Sequence, residues 1–351
     1  MRHWRTEIRW IVASHLAGGG CAQLASGLVT AVEPTAPTSA FPSAAVLPAP
    51  VAAPRTLRTA APLRRLAWVA VVVAFVGSAL VTGLPTDRVV LLGWVVAGLA
   101  VHAVVDGWRR LVRLLADWLP LIVVLVAYDA SRGLADGFGI PVHVADVAAA
   151  DRWLGAGVLP TVWLQAHVDS RAWEVLATLV YCSHFVVTPV VLAVLWSRNR
   201  AQWGRYVRMV LALSLAGLVT YVLFPAAPPW LAAKEGVIEP VERISNAGWA
   251  VLGLPKAGAM LEQSQAQVNA VAAVPSLHTG FAVLTCLFLL PAARRAWQRT
   301  GLVLYAALMP LVLVWSGEHY VVDTLLGALY AAVVVLVVRR VPRPARRAVG
   351  P

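Results

Sequence analysis

The segment GEHYVVDTLLGALYAAVVVLVVRR, residues 317–340, decides the fold because it joins a polar cluster to a long apolar run. The run that starts at Val321 is close to the ~20 residues that cross a bilayer as a helix, and two arginines end it. His319 and Asp323 are four residues apart, so in a helix they share one face. The pattern predicts a transmembrane helix with an ionisable pair near one membrane surface.

Seven other apolar runs precede this one, and the eight together predict an all-α, polytopic integral membrane protein. Hydrophobic residues make up 60% of the chain and charged residues 13%, and the mean hydropathy is +0.74. A soluble domain of this length cannot bury so much apolar surface. The predicted spans are 66–84, 89–107, 114–128, 173–196, 206–224, 275–292, 301–316 and 320–338.

Arginines occupy every second connection between these spans. By the positive-inside rule, both termini lie in the cytoplasm, and the long connections 129–172 and 225–274 lie outside. The net charge of +12 would also suit a nucleic-acid partner. Arginines at span ends instead anchor helices in a membrane, so we expect no nucleic acid and a plasma-membrane location among membrane lipids.

Composition divides the chain into four parts. Residues 1–63 form an Ala/Pro-rich arm without helical periodicity, which predicts disorder. Residues 64–113 form two accessory transmembrane helices, residues 114–338 a catalytic membrane domain of six helices, and residues 339–351 a basic cytoplasmic tail.

A second polar segment, VPSLHTGFAV at residues 274–283, opens the sixth run. Pro275 suits the first turn of a helix, and the amide groups and positive dipole of a helix N-terminus bind phosphate. Ser276 offers a hydroxyl donor, and His278 lies in the same turn. The predicted orientation puts this segment and residues 317–323 at the outer face, so we expect His278 and His319 to line one anion-binding pocket.

The pairing of His319 with Asp323 suits acid–base or nucleophilic chemistry. The carboxylate accepts from one imidazole nitrogen and leaves the other to attack or to donate a proton. Three other hypotheses compete with this one. The histidines could be structural, they could bind a metal with Asp323 or Glu318, although the HExxH spacing is absent, or Ser276 could be the nucleophile, although no nucleophile elbow surrounds it.

The two histidine segments resemble the second and third motifs of the type-2 phosphatidic acid phosphatase superfamily. Four further segments resemble its inositolphosphorylceramide-synthase-like branch: YDASRGLAD (128–136), WLQ (163–165), YCSHF (181–185) and LFPAAPPW (223–230). The resemblance covers roughly residues 120–335.

The resemblance implies a membrane enzyme that acts on a lipid phosphate without a metal or other cofactor. The orientation predicted from the arginines puts this activity at the extracytoplasmic face. His319 would be the nucleophile that forms a phosphohistidine, Asp323 would orient it, and His278 would protonate the leaving oxygen. Hydrolysis and phosphotransfer both stay open, as do the lipid, the acceptor and the oligomeric state. The rival hypothesis is a non-enzymatic transporter or lipid-binding protein that uses the histidine pair as a proton relay.

One departure from the superfamily concerns the phosphate-binding cation. The arginine expected six residues before the nucleophilic histidine is replaced by Leu313. We predict that Arg132, four residues after Tyr128, takes its place, with Lys234 as the second candidate. Tyr128, Ser276 and His184, which lies within the fourth span, complete the predicted substrate-binding residues. Two further residues, Asp151 and Arg152, are expected on a solvated or interfacial surface.

Overall fold

A computed structural model of the chain describes residues 56–82, 88–105, 107–135, 140–266 and 270–340. The first helix begins at Thr56, within the segment predicted as an arm. Residues 1–55 of the predicted arm and residues 341–351 of the predicted tail lie outside the described ranges, so their predictions stay untested.

The described residues form thirteen α-helices and no strand. Three helices come first, α1 Thr56–Thr82, α2 Arg88–Val105 and α3 Trp108–Ala135, and two short ones follow, α4 Ala145–Leu154 and α5 Pro160–His167. Two long helices, α6 Arg171–Arg198 and α7 Arg200–Leu223, precede three short ones, α8 Pro229–Lys234, α9 Ala247–Val251 and α10 Pro255–Ala266. The last three are α11 Leu277–Leu289, extended by a 3₁₀ turn to Ala292, α12 Ala296–Trp315 and α13 Val321–Arg340.

Each of the eight predicted apolar runs lies mostly within a helix, which confirms the all-α membrane architecture. Within the described residues, α6, α7, α12 and α13 are long and apolar enough to cross a membrane. Shorter apolar segments occupy Val90–Val101 in α2 and Leu277–Ala292 around α11. The total of eight spans stays a prediction.

The helix α11 lies among α6, α7, α12 and α13 and packs most extensively against α13. Two glycines permit this close approach. A Cβ atom on Gly327 would lie 2.1 Å from the carbonyl oxygen of Ser276, and one on Gly280 would lie 3.3 Å from the carbonyl oxygen of Gly327. The amide of Ser276 donates to the carbonyl of Asp323 at 3.0 Å. The two helix starts that carry His278 and His319 are therefore held together by backbone contacts.

The two long connections pack on each other and on the same end of the bundle. The guanidinium of Arg152 forms a bidentate ion pair with Glu239, at 2.8 and 2.9 Å. The amide of His143 donates to the carbonyl of Pro225 at 2.8 Å. Of the short helices, α4 packs against α13, α5 against α12 and α9 against α6. The connections thus lie over the end at which α11 and α13 begin.

The remaining long helices attach at the side of this bundle. The helix α2 packs against α1, α3 and α6, and α3 also packs against α7. Trp118, Trp196 and Trp203 are buried where α3, α6 and α7 meet. This arrangement leaves α1 in contact with the bundle through α2.

The α11–α13 contact leads to a prediction about Gly327→Ala. The added methyl group would overlap the Ser276 carbonyl, so we expect the protein to lose about 1–3 kcal/mol of stability and most of its activity. Gly301→Ala is the matched control, because a Cβ atom there meets nothing within 4 Å. Thermal unfolding of the detergent-solubilised variants measures the difference. Equal stability of the two variants would contradict the importance of this contact.

Candidate active site

His319 and Asp323 lie on either side of the start of α13, and both are buried. The expectation that they share one helical face is wrong, because α13 begins at Val321 and His319 belongs to the turn before it. The Nδ1 atom of His319 is 3.4 Å from Oδ2 of Asp323, and the same oxygen accepts from the amide of Tyr320 at 2.8 Å. Asp323 has no exposed surface, and His319 is 6% exposed. Nδ1 is the His319 nitrogen near the carboxylate, which leaves Nε2 on the other side of the ring. This arrangement is the one expected of an oriented nucleophile.

His278, in the first turn of α11, is surrounded by aromatic and imidazole rings. Its ring centroid lies 5.8 Å from that of His319, 4.1 Å from that of His184 and 5.2 Å from that of Tyr181, on which it stacks. Phe185 adds an edge contact at 6.2 Å. Helix α6, helix α11 and the turn before α13 therefore each contribute one histidine to a single cluster, and the YCSHF segment supplies its α6 wall.

Ser276 is the N-cap of α11 rather than a residue of its first turn. Its hydroxyl oxygen accepts from the amide of Thr279 at 3.4 Å, and its side chain is fully buried. The helix begins two residues later than Pro275 predicted, and the Pro275 carbonyl accepts from the hydroxyl of Tyr221 at 2.9 Å. The cap fixes the start of α11, whose first-turn amides and His278 lie at the site.

A second charged pair, Glu318 and Arg243, lies beside the histidines. Nε and Nη2 of Arg243 donate to the two carboxylate oxygens of Glu318 at 2.9 and 3.1 Å, and the Ser245 hydroxyl adds a bond of 2.6 Å. The guanidinium lies over the ring of Trp230, 5.2 Å from its centroid. Burial by itself would lower the pKa of Arg243, but Glu318 and Tyr181 raise it above its ordinary value. Arg243 is therefore a permanent cation between Glu318 and Tyr181, whose ring stacks on His278.

Leu313, which replaces the superfamily arginine, has no room for a charge. Its side chain is fully buried in an apolar cluster with Val312 and Met309. Its carbonyl oxygen accepts from the amides of Glu318 and His319 at 3.1 and 3.2 Å. The position therefore shapes the turn before α13, and any cation must reach the site from another segment.

Gln165 and Gly317 hold this turn against the second long connection. The Gln165 amide donates to the carbonyls of Glu242 at 2.8 Å and Trp315 at 2.9 Å, and its oxygen accepts from the amide of Glu242 at 3.1 Å. Gly317 has a φ of 76°, and a Cβ atom there would lie 2.6 Å from the Glu242 carbonyl. The WLQ segment thus positions Arg243, which follows Glu242, next to Glu318.

Asp151 lies in the site region, which corrects the expectation of a solvated surface. It is fully buried on the face of α4 that packs against α13, and its Oδ1 accepts from the amide of Val322 at 3.0 Å. It therefore satisfies a first-turn amide of α13 from another helix. Burial raises the pKa of Asp151 to about 6, the amide bonds lower it, and the neighbouring Asp323 raises it further. Arg152, the next residue, is exposed at its ion pair with Glu239, as predicted.

The other predicted residues are not brought to the cluster by a described contact. Lys234 is exposed at the end of α8. Tyr128 and Arg132 lie in the last part of α3, where the backbone is helical and the side chains are outside the description. Among the described residues, no group of three or more His, Cys, Asp or Glu side chains could hold a metal ion. Metal independence stays a prediction.

The sequence prediction missed Arg243 and the burial of Asp151. Asp151 had a local signal, since it lies four residues after Val147 and three after Ala148, and all three are on the buried face of α4. Arg243 had none, because its partner Glu318 is 75 residues away along the chain.

The raised pKa of Asp151 predicts a pH dependence of stability. The unfolded chain ionises near pH 4, whereas the folded protein holds this proton to about pH 6. Stability should therefore fall as pH rises through this window, by at most about 3 kcal/mol, and then level off. Asp151→Asn keeps the acceptor oxygen and should remove the effect, while the exposed Asp169→Asn should not. Thermal unfolding of the three proteins between pH 4 and 8 tests this, and an unchanged pH dependence in Asp151→Asn would contradict it.

Comparison with known proteins agrees with the geometry. The sequence model of the PAP2 superfamily matches residues 145–337, more than half of the chain, and this region contains all three histidines of the cluster and both aspartates. The chain is 27% identical over 232 residues to the phosphoinositol dihydroceramide synthase of Bacteroides thetaiotaomicron, a match that covers 61% of this chain and 73% of that protein. No solved structure matches.

These findings favour an enzyme over the transporter hypothesis. With the helical membrane architecture and the histidine cluster, the match to residues 145–337 establishes the family. The chain belongs to the PAP2 superfamily and is a membrane phosphatase or phosphotransferase.

Proposed function

We propose that the protein transfers a phosphoryl-containing group from a lipid phosphate to an acceptor through a covalent phosphohistidine on His319. One observation carries the proposal: two imidazoles at the starts of neighbouring helices have ring centroids 5.8 Å apart, and a buried carboxylate lies 3.4 Å from one of them. A single phosphoryl group between the rings would contact both. Of these two histidines, His319 is the one with an aspartate beside it.

In the first step, Nε2 of His319 attacks phosphorus in line with the leaving oxygen. The N–P bond forms as the P–O bond to the leaving alcohol breaks, and His278 supplies the proton that this oxygen takes up. In the second step, the acceptor hydroxyl gives its proton to His278 and its oxygen attacks phosphorus, which restores free His319. The ring of His184 lies tilted beside that of His278, with their centroids 4.1 Å apart.

The charge on phosphorus needs stabilisation in both steps. The N-terminus of α11 supplies amides and the positive end of a helix dipole. Arg243 supplies a cation whose contacts reach Glu318 on one side and Tyr181 on the other, so it replaces the arginine missing at Leu313. Arg132 remains the candidate predicted from sequence. Fixed charges aimed at the transition state are a large source of rate enhancement.

The acceptor is an alcohol, and the donor is an inositol-containing phospholipid. Support comes from the name of the Bacteroides relative, which describes the synthesis of phosphoinositol dihydroceramide. The departure from phosphatases at Leu313 points in the same direction. Incubation of purified protein with phosphatidylinositol and a lipid alcohol, with product mass and free phosphate both recorded, distinguishes transfer from hydrolysis. Phosphate release without a new lipid would identify a phosphatase.

The site lies on the extracytoplasmic side of the plasma membrane, with both termini in the cytoplasm. Support comes from the arginines at alternate connections and from the packing of both long connections over the histidine end.

This orientation predicts accessibility. A cysteine introduced at the exposed Lys234 should react with an impermeant thiol reagent in intact cells. A cysteine at the exposed Arg198 should react only after the cells are opened. The opposite labelling pattern would reverse the orientation.

The roles of the two histidines predict different responses to the leaving group. With p-nitrophenyl phosphate, which needs little protonation, His278→Ala should keep measurable turnover and accumulate a radiolabelled phosphoenzyme that survives base and is lost in acid. His319→Ala should be inactive with every substrate and should never label. Asp323→Asn should fall between them, because the imidazole remains but its tautomer is no longer held. If p-nitrophenyl phosphate restored activity to His319→Ala instead, His278 would be the nucleophile and His319 the general acid.

The proposed contact of Arg243 with phosphate predicts a rate loss on the order of 10²–10³ for Arg243→Ala. Because that variant leaves Glu318 buried without its partner, the double variant Arg243→Ala/Glu318→Gln is needed. It should fold normally yet stay as inactive as the single variant. Full recovery of activity in the double variant would make the role of Arg243 structural. Arg132→Ala tests the alternative cation, and Arg152→Ala, at an exposed ion pair, is the control with little expected loss.

A further inference from the structure

An apolar groove lies between α1, α2 and α6, away from the histidine cluster. It encloses about 420 Å³ and is lined by the aromatic rings of Trp68, Phe75 and Trp94 and by Val194. The rings of Phe75 and Trp94 meet edge to face, with centroids 5.3 Å apart. The volume is in the range of small-molecule sites, about 300–1,000 Å³.

Arginines flank one end of this groove. Trp68 is the first residue of α1 that lines the groove, and Ser197 is the last such residue of α6. Arg198 follows Ser197, and Arg65 precedes Trp68 by three residues, which places it on the same face of α1. Arg198 and Arg65 are both exposed. The groove therefore combines an apolar interior with a positively charged mouth.

The adjoining end of α3 and α7 has a further surplus of positive charge. Arg200 pairs with Asp117 and lies over the ring of Trp196, 4.7 Å from its centroid. Arg110 lies over the same ring at 5.9 Å, and both Arg110 and Arg113 repel Arg200 electrostatically. An anion bound here would relieve this repulsion.

We propose that the groove and its arginines bind one anionic phospholipid of the leaflet opposite the histidine cluster. One acyl chain fills the groove, and the head-group phosphate lies at Arg65 and Arg198. A neutral lipid would gain only the apolar contact, and free phosphate only the charge, so an anionic lipid is the ligand that satisfies both features. The site is independent of the proposed reaction.

Binding of the intact protein to phosphatidylglycerol and phosphatidylcholine tests the proposal. Native mass spectrometry in detergent gives both apparent dissociation constants for the wild-type protein, and phosphatidylglycerol should bind at least tenfold more tightly. Each arginine near a membrane surface attracts an anionic lipid by about fivefold. Arg65→Gln/Arg198→Gln should therefore remove most of this preference. Arg294→Gln/Arg340→Gln, which removes the same charge from exposed positions on other segments, should keep it.

The chain-binding part of the site has its own variant. Val194→Phe should fill the groove and weaken the binding of both lipids at least tenfold. Val190→Phe, one turn earlier on α6 at a similarly exposed position, should bind as the wild type does. Glycerol phosphate, which has no acyl chain, should not compete with phosphatidylglycerol.

Several results would overturn the proposal. Equal binding of both lipids by the wild-type protein would identify the groove as a neutral lipid contact. If both double arginine variants lost the preference for phosphatidylglycerol equally, the preference would depend only on the overall charge of the protein. If Val194→Phe bound lipid as tightly as the wild type, or if glycerol phosphate competed with phosphatidylglycerol, the acyl chain would not bind in the groove. The wild-type comparison decides the lipid preference even if a variant fails to fold.

Discussion

The close contact between α11 and α13 is the constraint on which the active site depends. A glycine at position 327 lets the carbonyl of Ser276 approach to a distance that any side chain would prevent, and the Ser276 amide bonds to the carbonyl of Asp323. These contacts set the separation of His278 and His319. Since both residues lie in or just before a first helical turn, the contacts that fix the two helix starts also fix the positions of the two imidazole rings.

The site contains several carboxyl groups that are buried and paired with polar partners. Asp323, Asp151 and Glu318 are almost wholly withdrawn from solvent, and each is held by a partner: His319 and a backbone amide, the Val322 amide, and Arg243 with Ser245. Buried carboxylates are costly unless they are paired and hydrogen-bonded. In return, oriented charges in a water-poor site act strongly on a bound phosphate, because little solvent screens them.

The connections on the histidine side contribute as much to the site as the transmembrane helices. Gln165 bonds to both the Glu242 and Trp315 backbones and so joins one long connection to the turn before α13. The same joint brings Arg243 to Glu318. A polar site at the end of a bundle needs such a covering layer, since helix ends alone leave backbone amides and carbonyls without partners.

Local sequence determined the helices and the nearness of His319 to Asp323, because apolar run length and short chain separation both act within one segment. The eight apolar runs, the His319–Asp323 pair and the place of His184 in α6 all follow from such short-range patterns. Only the tertiary structure decided the partners of Glu318 and Val322, which are Arg243 and Asp151, 75 and 171 residues away. No local periodicity encodes contacts of that range. They arise when the long connections pack over the bundle, which brings Arg243 to Glu318 and Asp151 to the amide of Val322.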